Sequence, residues 1–267
     1  MVALTAVAFV FLAGLVTALA TGLGALPFFF VGDVGDRVNV ALWGLASGIM
    51  LAASLFGLLV EGLAESEGMP VGLVVGALAG IVLVVVGHEV VAGAEIEPRE
   101  YEEADVRKLA LILGVLTVHS FPEGVAVGVS FAELGLAGGI SLFGLTVPVL
   151  AVFMTVAISI HNVPEGLAIS IPLRSMGVSE PRMVWWAIFS SLPQPIGAVI
   201  AFVFVRFARS VLPIGFGFAA GAMIYLVATE FVPEALETGT DLPGGGRREL
   251  VSGILAGVVV MLPLLVI

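Results

Sequence analysis

Residues 143–171 read FGLTVPVLAVFMTVAISIHNVPEGLAISI: a long apolar run that carries His161-Asn162-Val163-Pro164-Glu165-Gly166 near its centre. A run of this length with no Lys, Arg or Asp is long enough to cross a bilayer as a helix, which takes about 20 residues. An imidazole and a carboxylate inside it are costly at membrane depth and mark a functional site. His161 and Glu165 stand four residues apart, so a helix sets them on one face. The preceding apolar run repeats the pattern as His119-Ser120-Phe121-Pro122-Glu123-Gly124, and these two motifs hold two of the three histidines of the chain. Two such pairs facing each other would form a metal site within the membrane.

The rest of the chain agrees with a membrane setting. It has 267 residues, 60% hydrophobic and 12% charged, with mean hydropathy +1.18; soluble domains carry about 25% charged residues. Eight candidate spans follow: 2–29, 39–62, 71–92, 107–131, 143–171, 184–207, 210–235 and 249–267. The expectation is one all-α polytopic membrane domain over residues 1–267. The first basic residue is Arg37, so the first segment lacks the basic start of a secretory signal and reads as a retained span. The absence of cysteine excludes disulfides and thiolate chemistry. The net charge of −11 does not fit nucleic-acid binding. Gly72 to Gly80 and Gly215-Phe216-Gly217 fit close helix packing in lipid.

Lys and Arg set the orientation. Arg37, Arg99, Arg107, Lys108, Arg174, Arg182, Arg247 and Arg248 fall in loops 1–2, 3–4, 5–6 and 7–8, against Arg206 and Arg209 on the other side. Both termini are therefore expected outside a plasma membrane. Acidic residues cluster in the 93–106 connection, and the outer loop 2–3 carries Glu61, Glu65 and Glu67 without a base.

By these spans His119, His161, Gln194 and Met50 lie at similar depth on spans 4, 5, 6 and 2. Pro122 and Pro164 are expected to interrupt their helices there, freeing the carbonyls of Val118 and Ile160. Gly124 and Gly166 permit a neighbouring helix to come close. His88 and Glu89 on span 3, with Glu230 and Glu234 on span 7, fall nearer the cytoplasmic side and read as a staging point on an exit path. Imidazole and carboxylate ligands with an optional thioether suit first-row divalent ions, Zn(II) above all. Glu123 and Glu165 would together balance one divalent charge, and binding to deprotonated ligands would displace protons. A membrane-embedded metal-dependent hydrolase is the alternative, but His88-Glu89 lacks the second histidine of H-E-x-x-H. A metal sensor would need an effector domain, and none lies between the spans. No enzymatic activity and no catalytic cofactor are expected.

The paired motifs resemble those of the ZIP (Zrt/Irt-like) family of divalent metal transporters, in its prokaryotic branch. Thr21-Gly22-Leu23-Gly24-Ala25-Leu26-Pro27, Gly48-Ile49-Met50-Leu51-Ala52-Ala53-Ser54, and Gly221-Ala222-Met223 followed by Glu230-Phe231-Val232-Pro233-Glu234 support the likeness. The resemblance implies inverted three-helix repeats, helices 1–3 and 6–8, around helices 4 and 5. It implies transport of Zn(II) into the cytoplasm, with Fe(II), Mn(II), Co(II) and Cd(II) of similar ligand chemistry, in a lipid bilayer and with a homodimer allowed. It makes His119, Glu123, His161 and Glu165 ligands, the glutamates placed to bridge two metals; Met50 lies near the first metal, Asn162 at the second, and Glu230 on the inner route. Two positions depart from the family pattern. Ser120 stands where Asn is usual, and still offers an oxygen. Gln194 stands where Glu is usual before Pro-x-Gly-Ala. With two carboxylates against two divalent cations in a low dielectric, one well-occupied metal position is expected and a weak or absent second.

Overall fold

The computed structural model describes residues 4–30, 34–66, 68–93, 103–136 and 139–265. Glu95, Glu97, Arg99, Glu100 and Glu102 of the acidic connection, and Glu67 of the outer loop, lie outside the described residues. Glu103, Asp105, Arg107 and Lys108 are described by their backbone alone.

Helices account for nearly all of the described chain. They are α1 (Leu4–Leu23), α2 (Asp36–Ala52), α3 (Val60–Ala64), α4 (Val71–Gly93), α5 (Glu103–Ser130), α6 (Val149–Ser175), α7 (Glu180–Ser190), α8 (Pro193–Phe207), α9 (Leu212–Leu226), α10 (Val232–Thr238) and α11 (Arg247–Leu265). Wide π turns at Ala53–Leu59 and Val227–Phe231 carry α2 into α3 and α9 into α10. Six helical stretches among the described residues are long and apolar enough to cross a membrane: Leu4–Phe29, Asp36–Ala64, Val71–Val91, Val149–Arg174, Glu180–Phe207 and Arg209–Thr238. In lipid each backbone N–H and C=O must be satisfied within the protein, and the helix does this within one segment. The chain is a multi-pass membrane protein. α5 and α11 stand at the other two expected spans.

Three expectations change. The span expected at 143–171 begins instead with a hairpin, β1 (Gly139–Leu142) paired antiparallel to β2 (Leu145–Pro148), and helix starts only at Val149. Phe143 and Gly144 take positive φ of 51° and 78°, the two-residue geometry that suits a hairpin's twist, and Pro148 closes the strand. The interruptions expected at Pro122 and Pro164 do not occur, since α5 and α6 continue through both. Span 6 does break, between α7 and α8 at Ser191-Leu192, just before Pro193.

Packing follows the small residues. α2 lies along α11 and α4 along α9. A Cβ on Gly48 would sit 2.1 Å from the Ile254 carbonyl oxygen, and one on Gly76 2.1 Å from that of Ile214. Both backbone pairs can approach only because these positions are glycine. The glycines that end the two motifs act likewise. A Cβ on Gly124 would fall 2.2 Å from the Gln194 carbonyl of α8, and one on Gly166 1.8 Å from the Thr21 carbonyl of α1. The motif helices are thus each seated on a partner, α5 on α8 and α6 on α1. α4 turns Val74, Val75, Leu78, Val82 and Val86 outward, as a lipid-facing helix does.

Candidate metal centre

Where α5 meets α6, three ionisable side chains converge. Glu123 comes from α5; His161 and Glu165 come from one face of α6, one turn apart. Their ligand atoms all lie within 4.8 Å of one another, and His161 Nε2 is 3.0 Å from Glu123 Oε1. All three are wholly buried. Neither oxygen of Glu165 has a hydrogen-bond partner, and neither does His161 Nδ1. A buried carboxylate without a partner is strongly unfavourable. A divalent cation would supply the missing charge partner, and carboxylate oxygens with an imidazole nitrogen are a fitting donor set for Zn(II) and its neighbours.

The other polar residues around Glu123 form a continuous chain of bonds. Gln194 Nε2 donates to Glu123 Oε2 at 2.5 Å. Asn162 Nδ2 donates to Gln194 Oε1 at 3.1 Å and to the Thr17 carbonyl at 2.7 Å. Asn162 and Gln194 are fully buried, and Asn162 Oδ1 has no partner. The break between α7 and α8 is pinned beside this network by a 2.8 Å hydroxyl contact between Ser191 and Thr21. Met50 is fully buried on α2, which packs against α6. Ser120 is fully buried on α5.

His119 stands with a different group from the one the motif implied. Its Nε2 lies 3.1 Å from His88 Nε2 on α4, and His88 Nδ1 lies 3.0 Å from Glu230 Oε1 in the second π turn. These three form a second set that could hold a cation. In α6 the His and Glu of the motif converge; in α5 they diverge, Glu123 toward α6 and α8, and His119 toward α4. One helical turn separates them by about 5–6 Å along the axis, so the two side chains can serve different neighbours. Of the expected exit path, His88 and Glu230 join His119, whereas Glu89 and Glu234 are exposed outside the group.

Thr17 was not legible from sequence, because it contributes a backbone carbonyl that no side-chain pattern reports. Thr21 enters the sequence reading only through the family likeness of Thr21 to Pro27, and its role emerges from its contacts with Ser191 and Gly166.

Known proteins are similar to this chain over most of its length. A chain of Arabidopsis thaliana with a provisional zinc-transporter name is 41% identical over 84% of this chain, which spans 34% of that longer protein. The zinc transporter GufA of Myxococcus xanthus is 31% identical over 94% of this chain and 97% of its own. The zinc transporter ZIPB of Bordetella bronchiseptica is 33% identical over 91% of this chain and 76% of its own. The ZIP Zinc transporter family profile matches residues 92–265. That stretch takes in both motif helices and the seats of Glu123, His161, Glu165, His119 and Glu230, and the chain accordingly belongs to the ZIP family.

Proposed function

We propose that this protein moves divalent transition-metal cations, Zn(II) first among them, across the plasma membrane into the cytoplasm. The observation that carries this reading is the Glu123–His161–Glu165 cluster: wholly buried, among apolar helices, with both Glu165 oxygens unpartnered. Such a cluster suits binding of a cargo ion at membrane depth. The names of the bacterial relatives support zinc as the cargo. Fe(II), Mn(II), Co(II) and Cd(II) share the ligand chemistry.

The route runs from Glu123, His161 and Glu165 to His119, His88 and Glu230. Met50, Ser120, Asn162 and Gln194 border the first group, and Glu89 and Glu234 lie at the exposed end of the second. The architecture we infer has eight spans in two inverted three-helix halves around α5 and α6. Supporting it, α2 pairs with α11 as α9 pairs with α4, and α6 pairs with α1 as α5 pairs with α8. Helices 2 and 7 of this scheme also both contain a π turn. Exchanging the two halves maps each of these features onto its counterpart. The distribution of Lys and Arg puts both termini outside.

Metal flux into liposomes tests the proposal, with wild type and Glu165→Ala compared for Zn(II), Mn(II) and Fe(II). Saturable Zn(II) flux that Glu165→Ala abolishes is expected. Equal flux through both proteins, or none through the wild type under an imposed metal gradient, would overturn it.

A further inference from the structure

The geometry points to Gln194 as a positioning residue that takes a second cation's place beside Glu123 and limits the buried site to one metal ion. This rests on the metal-site reading above.

The orientation of the Gln194 amide is set at both ends. Its Nε2 faces Glu123 Oε2 at 2.5 Å, and its Oε1 faces the Asn162 Nδ2 group at 3.1 Å. Reversing it would set an oxygen against the carboxylate and one –NH2 group against another. Asn162 is itself fixed, since the same Nδ2 donates to the Thr17 carbonyl at 2.7 Å. The chain Thr17–Asn162–Gln194–Glu123 therefore aims an N–H at Glu123 Oε2 from a wholly buried position. Glu123 is left with Oε1, next to His161 Nε2 at 3.0 Å, as its face toward a metal.

A carboxylate that bridges two cations uses both oxygens. Here a cation at Oε2 would meet the positive end of the amide dipole and would have to break two buried hydrogen bonds. It would also add two positive charges to a site that one divalent ion already balances. The bridging role that the family resemblance implied for Glu123 is therefore closed by Gln194. A glutamate at position 194 would reverse each term: it adds a carboxylate, removes the donor, and leaves Asn162 Oδ1, already without a partner, as a neutral oxygen ligand.

The test is anomalous X-ray scattering at the zinc edge from crystals of the full chain in saturating Zn(II). One zinc peak among Glu123, His161 and Glu165 is expected in the wild type, and two peaks about 3.5–4 Å apart in Gln194→Glu. Two peaks in the wild type, or one in the variant, overturn the inference. No peak there in the wild type overturns the metal-site reading itself, and the inference with it. Should the variant not fold, the wild-type count still decides. As a readout of positioning, Gln194→Ala is expected to raise KM for Zn(II) flux roughly ten-fold, with a smaller change in kcat; an unchanged KM counts against the role.

Discussion

His88 and His119 meet nitrogen to nitrogen, Nε2 to Nε2 at 3.1 Å, across α4 and α5. Two imidazole nitrogens at this distance need one donor and one acceptor. His88 Nδ1 faces the Glu230 carboxylate at 3.0 Å and donates to it. With one proton on each ring, His88 Nε2 is then the acceptor and His119 Nε2 the donor. His119 Nδ1 is left with a lone pair and no partner. The triad thus holds one imidazole nitrogen ready for a cation, one turn of α5 away from Glu123. His88→Ala is expected to lower Zn(II) flux roughly ten-fold or more, the range seen when a group that orients a metal ligand is lost. Binding at the Glu123 group should persist. Parallel flux and equilibrium-binding measurements check this; unaltered flux would remove the triad from the route.

Cation binding to the Glu123–His161–Glu165 group should stabilise the folded protein. A ligand at 100 times its Kd adds about 2.7 kcal/mol. Zn(II) is expected to raise the Tm of the purified wild type, chelator to reverse it, and Glu165→Ala to abolish most of the shift. A full shift in Glu165→Ala would place the stabilising ion elsewhere.

Imidazole and carboxylate ligands hold metal in their deprotonated forms, so metal and protons compete at this site. The sign follows: Zn(II) affinity should fall as pH falls, by about ten-fold per pH unit for each proton displaced. Calorimetric titrations in buffers of different ionisation enthalpy count the protons released. Affinity that stays constant between pH 7.5 and pH 5 would count against competition.

The motif glycines were legible because their cause is local: a glycine one residue after each Glu reads as a close approach, and Gly124 and Gly166 do press on the Gln194 and Thr21 carbonyls. The pairing of His161 with Glu165 was legible for the same reason, since helical periodicity sets a shared face. What a face meets is not local. His119 shares its face with Glu123, yet it is His88 on α4 that claims its ring. The hairpin at 139–148 was hidden because its strands are short and apolar and merge into the following helix in any window of hydropathy. The break at Ser191-Leu192 did leave a local signal, two serines followed by Pro193 and Pro195, which a hydropathy window averages into the apolar residues on either side. Gln194 stood out as a missing charge, but its bond to Asn162 depended on how α6 and α8 come together.

Gly166→Ala tests the seating of α6 on α1. Its Cβ would lie 1.8 Å from a backbone oxygen, which cannot move aside as a side chain can. Overpacking commonly costs about 1–3 kcal/mol, and a backbone clash at the centre of the bundle belongs at the upper end. A lower Tm with loss of flux is expected. Gly93→Ala, where a Cβ meets nothing within 4 Å, serves as the control and should leave Tm unchanged or slightly raised, because Ala favours helix over Gly. Equal Tm for the two variants would refute the close approach.

The absence of cysteine makes the orientation directly measurable, because any thiol introduced is the sole one. Phe143, at the hairpin turn, is 94% exposed, and Asp241, between α10 and α11, is exposed as well. In the proposed orientation, with both termini outside, the hairpin would lie in loop 4–5 on the outer face and Asp241 in loop 7–8 on the cytoplasmic face. A membrane-impermeant maleimide applied to intact cells is therefore expected to label Phe143→Cys fully and Asp241→Cys only after the membrane is opened. The reverse pattern would invert the protein. Glu230 and His88 would then lie toward the outside, and the route from Glu123 past His119 would become an entrance.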